Sequence, residues 1–175
     1  MSPPPTQADA RQSLNAHVAA KGGEIHGKYG PHLGWSELLR LLEDPACVRY
    51  PCDIVFGDGP LQTGEMAFPE PKGARPEDGF TIYVHPCFAT QRERVPALVL
   101  YQLVVVNYGA FASADDAETF GAAALGLSLD DYYRALCDLA DVMGQPHGRP
   151  AAVTPHSAST HPNVHPYLDT APTQA

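Results

Sequence analysis

The chain is short of positive charge, has no paired-cysteine motif, and has no uninterrupted apolar run of bilayer length. Each absence removes a class of function. Lys and Arg total 11 against 20 Asp and Glu in 175 residues, a formal net charge of −9. The basic residues are scattered, with no Lys/Arg run. A phosphate backbone or an anionic membrane surface would be repelled, so neither nucleic acid nor membrane is an expected partner. The four cysteines, Cys47, Cys52, Cys87 and Cys137, include no CxxC spacing. They are expected to be reduced thiols. The longest apolar run, residues 97–106, is interrupted by Gln102. It is read as too short to span a bilayer. The start of the chain lacks the basic and apolar stretches of a signal peptide. These absences together predict a cytoplasmic protein.

What is present is an apolar fraction of 44%, concentrated between about residues 14 and 143. That suffices for one core. The ends differ. Residues 1–9 are polar and Pro-rich, and residues 144–175 hold many Pro, Ser, Thr and His without apolar periodicity. Both are expected to be disordered, leaving a single domain over 10–143. In the tail, His147, His156, His161 and His165 are irregularly spaced, and HPNVHPYLD (161–169) has the anchors of a short docking peptide.

Periodicity gives an α+β order. Leu14 and Val18 mark a helix over 10–21, which Gly22 and Gly23 are expected to end. A glycine-rich loop with His26 and His32 follows. Trp35, Leu38, Leu39 and Leu42 share one face of a second helix over 35–44. Period two then takes over. Cys52, Ile54 and Phe56 alternate with Asp53 and Val55 in a strand over 47–56, and Pro51 makes it an edge strand or a bulged one. A second strand is predicted over 64–68 and a third over 79–85, with Phe80, Ile82 and Val84 inward. Pro96 suits the first turn of a buried helix over 95–108. Ser113 and Ser128 precede acids three residues on, as N-caps do, and so open two further helices. The last is expected to bury Leu129, Tyr132, Tyr133, Leu136, Ala140 and Met143. The fold expected is therefore α+β: a small, mainly antiparallel sheet over about 47–85, packed with helices before and after it.

The stretch 79–126 carries the main candidate. A strand, GFTIYVH (79–85), precedes an apolar helix, VPALVLYQLVVVNYG (95–109), and a capped acidic one, SADDAETFGAAALG (113–126). This order, with FTIY before the central helix and DDAETFGAAALG after it, resembles the active-site half of minimal zincin-like metallopeptidases. The resemblance implies HExxH on the central helix, with two His on zinc and a Glu that activates water. This chain reads YQLVV at 101–105, so Tyr101, Gln102 and Val105 fall at those positions. Valine has no lone pair to give, and glutamine is no general base. Asp116 or Ala114 falls where an acidic ligand would come. The resemblance thus implies a degenerate zincin-like domain with no catalytic residues. It would bind a protein or peptide partner, which pairs with an edge strand in 61–68 or 79–85. The binding residues would be Tyr83, His85, Tyr101, Gln102 and Asp116.

Three other readings stand beside it. His26, His32, His85 and Cys87 have the ligand types of a zinc site, which would make the protein metal-binding or metal-dependent. Cys87 with His85 as base is a candidate thiol nucleophile. The apolar helices could instead build a homo-oligomer, and the small residues Ala117, Gly121 and Ala124 would let a helix approach closely. No cofactor is expected on the leading reading, and zinc is the alternative.

Overall fold

The computed structural model describes residues 6–144. The tail histidines and the 161–169 peptide lie outside the described residues.

Helix α1, Gln7–Tyr29, begins inside the stretch expected to be disordered. Thr6 caps it: its hydroxyl accepts from the Asp9 N–H, and the Asp9 carboxylate accepts from the Thr6 N–H. The helix also runs straight through Gly22 and Gly23, where it was expected to stop. Two interior glycines disfavour a helix by roughly 1 kcal/mol each. Tertiary packing overrides that at Gly22. A Cβ there would sit 2.6 Å from the Phe120 carbonyl oxygen and 2.7 Å from the Ala123 Cβ. The glycine is a contact between two helices rather than a stop signal.

Helix α2, Trp35–Leu42, buries Leu38, Leu41 and Leu42, while Leu39 points outward. The inward face is thus turned by one residue from the expected one. Asp44 then ties the loop back to α1. Its carboxylate accepts from Lys28 Nζ at 2.5 Å, the Tyr29 hydroxyl at 2.8 Å, the Ala46 N–H at 3.0 Å and Cys47 Sγ at 3.3 Å.

The sheet has three strands among the described residues: β1 (Cys52–Phe56), β2 (Ala67–Pro71) and β3 (Phe80–Val84). Their order is β1-β3-β2. β1 is parallel to β3 and β2 is antiparallel to it, so the sheet is mixed rather than mainly antiparallel. Residues 47–51 do not join β1. Their backbone is held by a side chain instead: the Arg49 N–H donates to Asn107 Oδ1 at 2.8 Å, and Asn107 Nδ2 donates to the Cys47 carbonyl at 3.0 Å. β1 is an edge strand, as Pro51 implies. β2 starts later than expected and runs three residues past its expected end at 68.

The two edges differ. On β2, Lys72 N–H donates to the Gly79 carbonyl and His85 N–H to the Met66 carbonyl, so the even-numbered residues face β3. Ala67, Pro69 and Pro71 therefore turn their backbone polar groups outward. Two of the three are prolines with no N–H to offer. On β1 the Pro51 carbonyl and the Gly57 N–H bond to β3, which leaves Cys52, Ile54 and Phe56 facing outward. Among the described residues no strand pairs with that side.

Helix α3, Val95–Tyr108, forms the centre, with 10 buried residues that include Val95, Leu98, Leu100, Leu103 and Val106. The β-branched run at 104–106 stays helical with Val104 and Val106 buried against other elements and Val105 exposed. By composition the stretch Arg92–Phe111 is long and apolar enough to cross a membrane, contrary to the shorter run read from the sequence. In this fold 56% of its most apolar window is buried within the protein. Helix α4, Ala114–Leu125, is capped by Ser113 and packs against α1 as well as α3. Helix α5, Leu129–Gly144, buries Tyr132 and Leu139, whereas Leu129 and Tyr133 are exposed. The Tyr132 hydroxyl donates to the Ala97 carbonyl at 2.7 Å. Gly121 makes room for that ring, since a Cβ would lie 2.2 Å from Tyr132 Cζ. The small-residue face of α4 is thus filled within the chain at Gly121.

Gly22 and Gly23, adjacent in α1, separate packing from propensity. Gly22→Ala is expected to lower stability by ~1–2 kcal/mol, because the added methyl forces α1 from α4. Gly23, with nothing within 4 Å of its would-be Cβ, should gain ~0.5–1 kcal/mol as Ala. Urea unfolding midpoints of the two variants check this. Equal shifts would mean that α1 and α4 do not meet at Gly22.

A cleft between the central helix and the sheet edge

The β2 edge lies beside α3, and one hydrogen bond joins them: Gln102 Nε2 donates to the Ala67 carbonyl at 3.0 Å. That carbonyl is an outward-facing one, so Gln102 occupies the acceptor that an added strand would use. Leu98, Tyr101 and Gln102, at i, i+3 and i+4, turn one strip of α3 toward this edge. Glu118 comes from α4, Tyr133 and Leu136 from α5, and Gly64 to Ala67 complete the rim. Together they enclose a cleft of about 330 Å³.

Its chemistry is acidic and aromatic. The charged residues that line it are Glu65 and Glu118, with no Lys, Arg or His. Glu65 accepts from the Gln62 N–H at 2.8 Å, in the turn before β2. Glu118 is half-buried. Among the described residues its carboxylate makes neither an ion pair nor a hydrogen bond. Burial raises the Tyr101 phenol above its ordinary range, and the charges of Glu118 and Asp115 raise it further. Tyr133 is also raised, first by its contact with Cys137 and least by Glu118. Both tyrosines are therefore protonated and present hydroxyl donors and ring faces around a carboxylate.

Of the five binding residues read from the sequence, Tyr101 and Gln102 meet here. Tyr83 does not. It pairs across β3 with Val55 and Phe68, on the sheet face opposite the buried Phe80, Ile82 and Val84. β3 is the central strand, so no peptide can pair along 79–85. His85 ends β3, its N–H bonded to the Met66 carbonyl at 2.9 Å. Asp116 points into the protein. Its Oδ2 accepts from the Ser113 N–H at 2.9 Å and hydroxyl at 2.8 Å, and its Oδ1 from Asn15 Nδ2 at 3.1 Å. It joins α4 to α1 and lines no cleft.

The four metal-ligand candidates do not gather either. His26 is on α1, not in a loop. Its ring packs against Gly126, where a Cβ would lie 2.4 Å from Cε1, and its buried Nδ1 has no hydrogen-bond partner among the described residues. His32 is exposed. His85 Nδ1 lies 3.0 Å from Cys87 Sγ and also receives the Cys87 N–H at 3.3 Å. An N–H can only donate, so Nδ1 is the acceptor and the protonated thiol donates its S–H toward it. Burial pushes the Cys87 thiol up, away from the thiolate a nucleophile needs. The pair caps a 3-10 turn, Pro86–Phe88. Among the described residues no three His, Cys, Asp or Glu come together as a metal site.

Glu118 and Tyr133 were missed by sequence reasoning. Glu118 is one of three acids near the start of a capped helix and nothing in the sequence singles it out, and Tyr133 reads there as core. Their spacing from Tyr101 has no local period that would reveal the cluster. No protein-family model matches the chain, and neither a curated protein nor a solved structure matches it.

The Asp116 network gives a pH prediction. Burial raises its carboxyl, but the Ser113 and Asn15 hydrogen bonds outweigh this, so its pKa is lowered from 3.8. A carboxyl depressed in the folded state adds stability above its unfolded pKa, and that stability is lost as pH falls through the folded value. Thermal unfolding of the wild type should therefore weaken below about pH 4. Asp116→Asn should start less stable at neutral pH and show a flatter acid limb. Parallel limbs would remove Asp116 as a source of the acid sensitivity.

Proposed function

We propose that this is a non-catalytic domain that binds a protein or peptide partner by taking a basic side chain into the α3–β2 cleft. The observation that carries this is Glu118: a half-buried carboxylate, unpartnered among the described residues, in a cleft shared with Tyr101 and Tyr133. A charge taken partly out of water favours an opposite charge beside it. A guanidinium fits best, since it can pair with the carboxylate in two places while its flat face stacks on a phenol ring. The net charge of −9 would draw a basic partner from a distance.

Strand addition, the mode the zincin resemblance implies, is disfavoured at β2. Pro69 and Pro71 offer no N–H, and Gln102 already holds the Ala67 carbonyl. The partner's main chain would cross the cleft and only a side chain would enter it. The zincin-like reading of the fold remains part of this proposal. With Tyr101 and Val105 at the two zinc-ligand positions and Gln102 at that of the general base, what that architecture would retain is a cleft for peptide.

An NMR titration with a short arginine peptide, and with the same peptide carrying neutral citrulline, tests it. The arginine peptide should shift resonances of Tyr101 and Tyr133 and bind about tenfold more tightly, ~1.4 kcal/mol. Glu118→Gln should erase the difference. Equal affinity of the two peptides, or an unchanged preference in Glu118→Gln, would overturn the proposal.

A further inference from the structure

A second cavity, of about 380 Å³, lies between α1, the loop after α2 and the C-terminal end of α3. Its character is opposite to that of the cleft. In a chain with only 11 Lys and Arg, three of them, Lys21, Lys28 and Arg49, line this one cavity. The concentration has a local origin. His17, Lys21 and Lys28 recur at i, i+4 and i+11 along α1, so they share one helical face with Ile25 between them.

The charges can be balanced pair by pair. Lys21 is held by Glu24 at 2.7 Å, and Lys28 by Asp44 at 2.5 Å. Arg49 has no carboxylate partner among the described residues. Its guanidinium lies over the Tyr50 ring, 5.3 Å from the centroid. Three cations against Glu24 and Asp44 leave one positive charge, on Arg49. Tyr108 also lines the cavity; its hydroxyl makes no hydrogen bond to the described residues and lies within electrostatic range of Lys21, Glu24 and Arg49. Below them, Ile25 and Phe120 supply an apolar floor. A cavity with one unbalanced guanidinium, one open hydroxyl and an apolar floor matches a monoanion on an apolar body. A dianion would leave a charge unanswered.

We infer that this cavity is a binding site for a small organic monocarboxylate. The carboxylate lies on the Arg49 guanidinium with the Tyr108 hydroxyl as second donor, and the hydrocarbon body rests on Ile25 and Phe120. The site is separate from the cleft around Glu118 and does not rest on its function.

The full chain is titrated by NMR at constant ionic strength with benzoate and hexanoate, with their neutral amides, and with phenyl phosphate. Each carboxylate should bind about tenfold more tightly than its amide, through the charge-assisted contact to Arg49. Arg49→Gln should abolish that preference. Its folding is not at stake, because the side chain is exposed and the Arg49 N–H that holds Asn107 is kept. Tyr108→Phe should weaken the carboxylates more than the amides, because the bond to the charged acceptor is the stronger one. The inference is overturned if acid and amide bind alike, if neither carboxylate binds, if Arg49→Gln keeps the preference, or if phenyl phosphate binds more tightly than benzoate.

Discussion

Helix α3 has no polar face, and the rest of the molecule is arranged to enclose it. A helix that is apolar on every side must be surrounded by protein. The three-stranded sheet covers one side, and α4 and α5 cover the other. Its polar side chains are then the exceptions that need partners. Asn107 pairs with the Cys47 carbonyl and the Arg49 N–H, and Gln102 pairs with the Ala67 carbonyl. Each bond takes up backbone groups that no strand or helix satisfies. The two amides therefore fix the loop before β1 and the edge of β2 to the same helix.

The two candidate sites follow from this enclosure. Both lie where α3 is incompletely covered, next to one of its amides. Near Gln102 the neighbours are Glu65, Glu118 and two tyrosines, so the opening is acidic. Near Asn107 they are one face of α1 and the loop that Asn107 holds, so the opening is basic. The separation leaves a chain with a large negative total charge with one compact positive site.

Much of the α+β fold was legible because it rests on local signals. The apolar helix at 95–108, the Ser113 and Ser128 caps and the alternation of Phe80, Ile82 and Val84 all declare themselves within a few residues. What was not legible depends on contacts distant in sequence. Gly22 reads as a stop unless α4 is already known to lie against it. Residues 47–51 read as strand because Asn107, some 60 residues away, is what holds their backbone. The parallel pairing of β1 with β3 has no local mark at all. The sites show the same limit. Tyr101 and Gln102 could be found on one helix face, whereas Glu118 and Tyr133 reach the cleft only through the packing of α4 and α5. His26 and His85 looked alike in the sequence and are kept apart by the same packing.

The unequal edges of the sheet bear on how it can grow. Pairing of backbones needs donors and acceptors on both strands. Along β2 the prolines and Gln102 have removed most of them, while along β1 Cys52, Ile54 and Phe56 keep theirs. A sheet of this kind is closed at one end. Were two copies to join through their β1 edges, that union would present only proline-blunted strands on both of its outer sides. Strand pairing through this sheet would then end at two copies instead of continuing strand by strand as a fibril does.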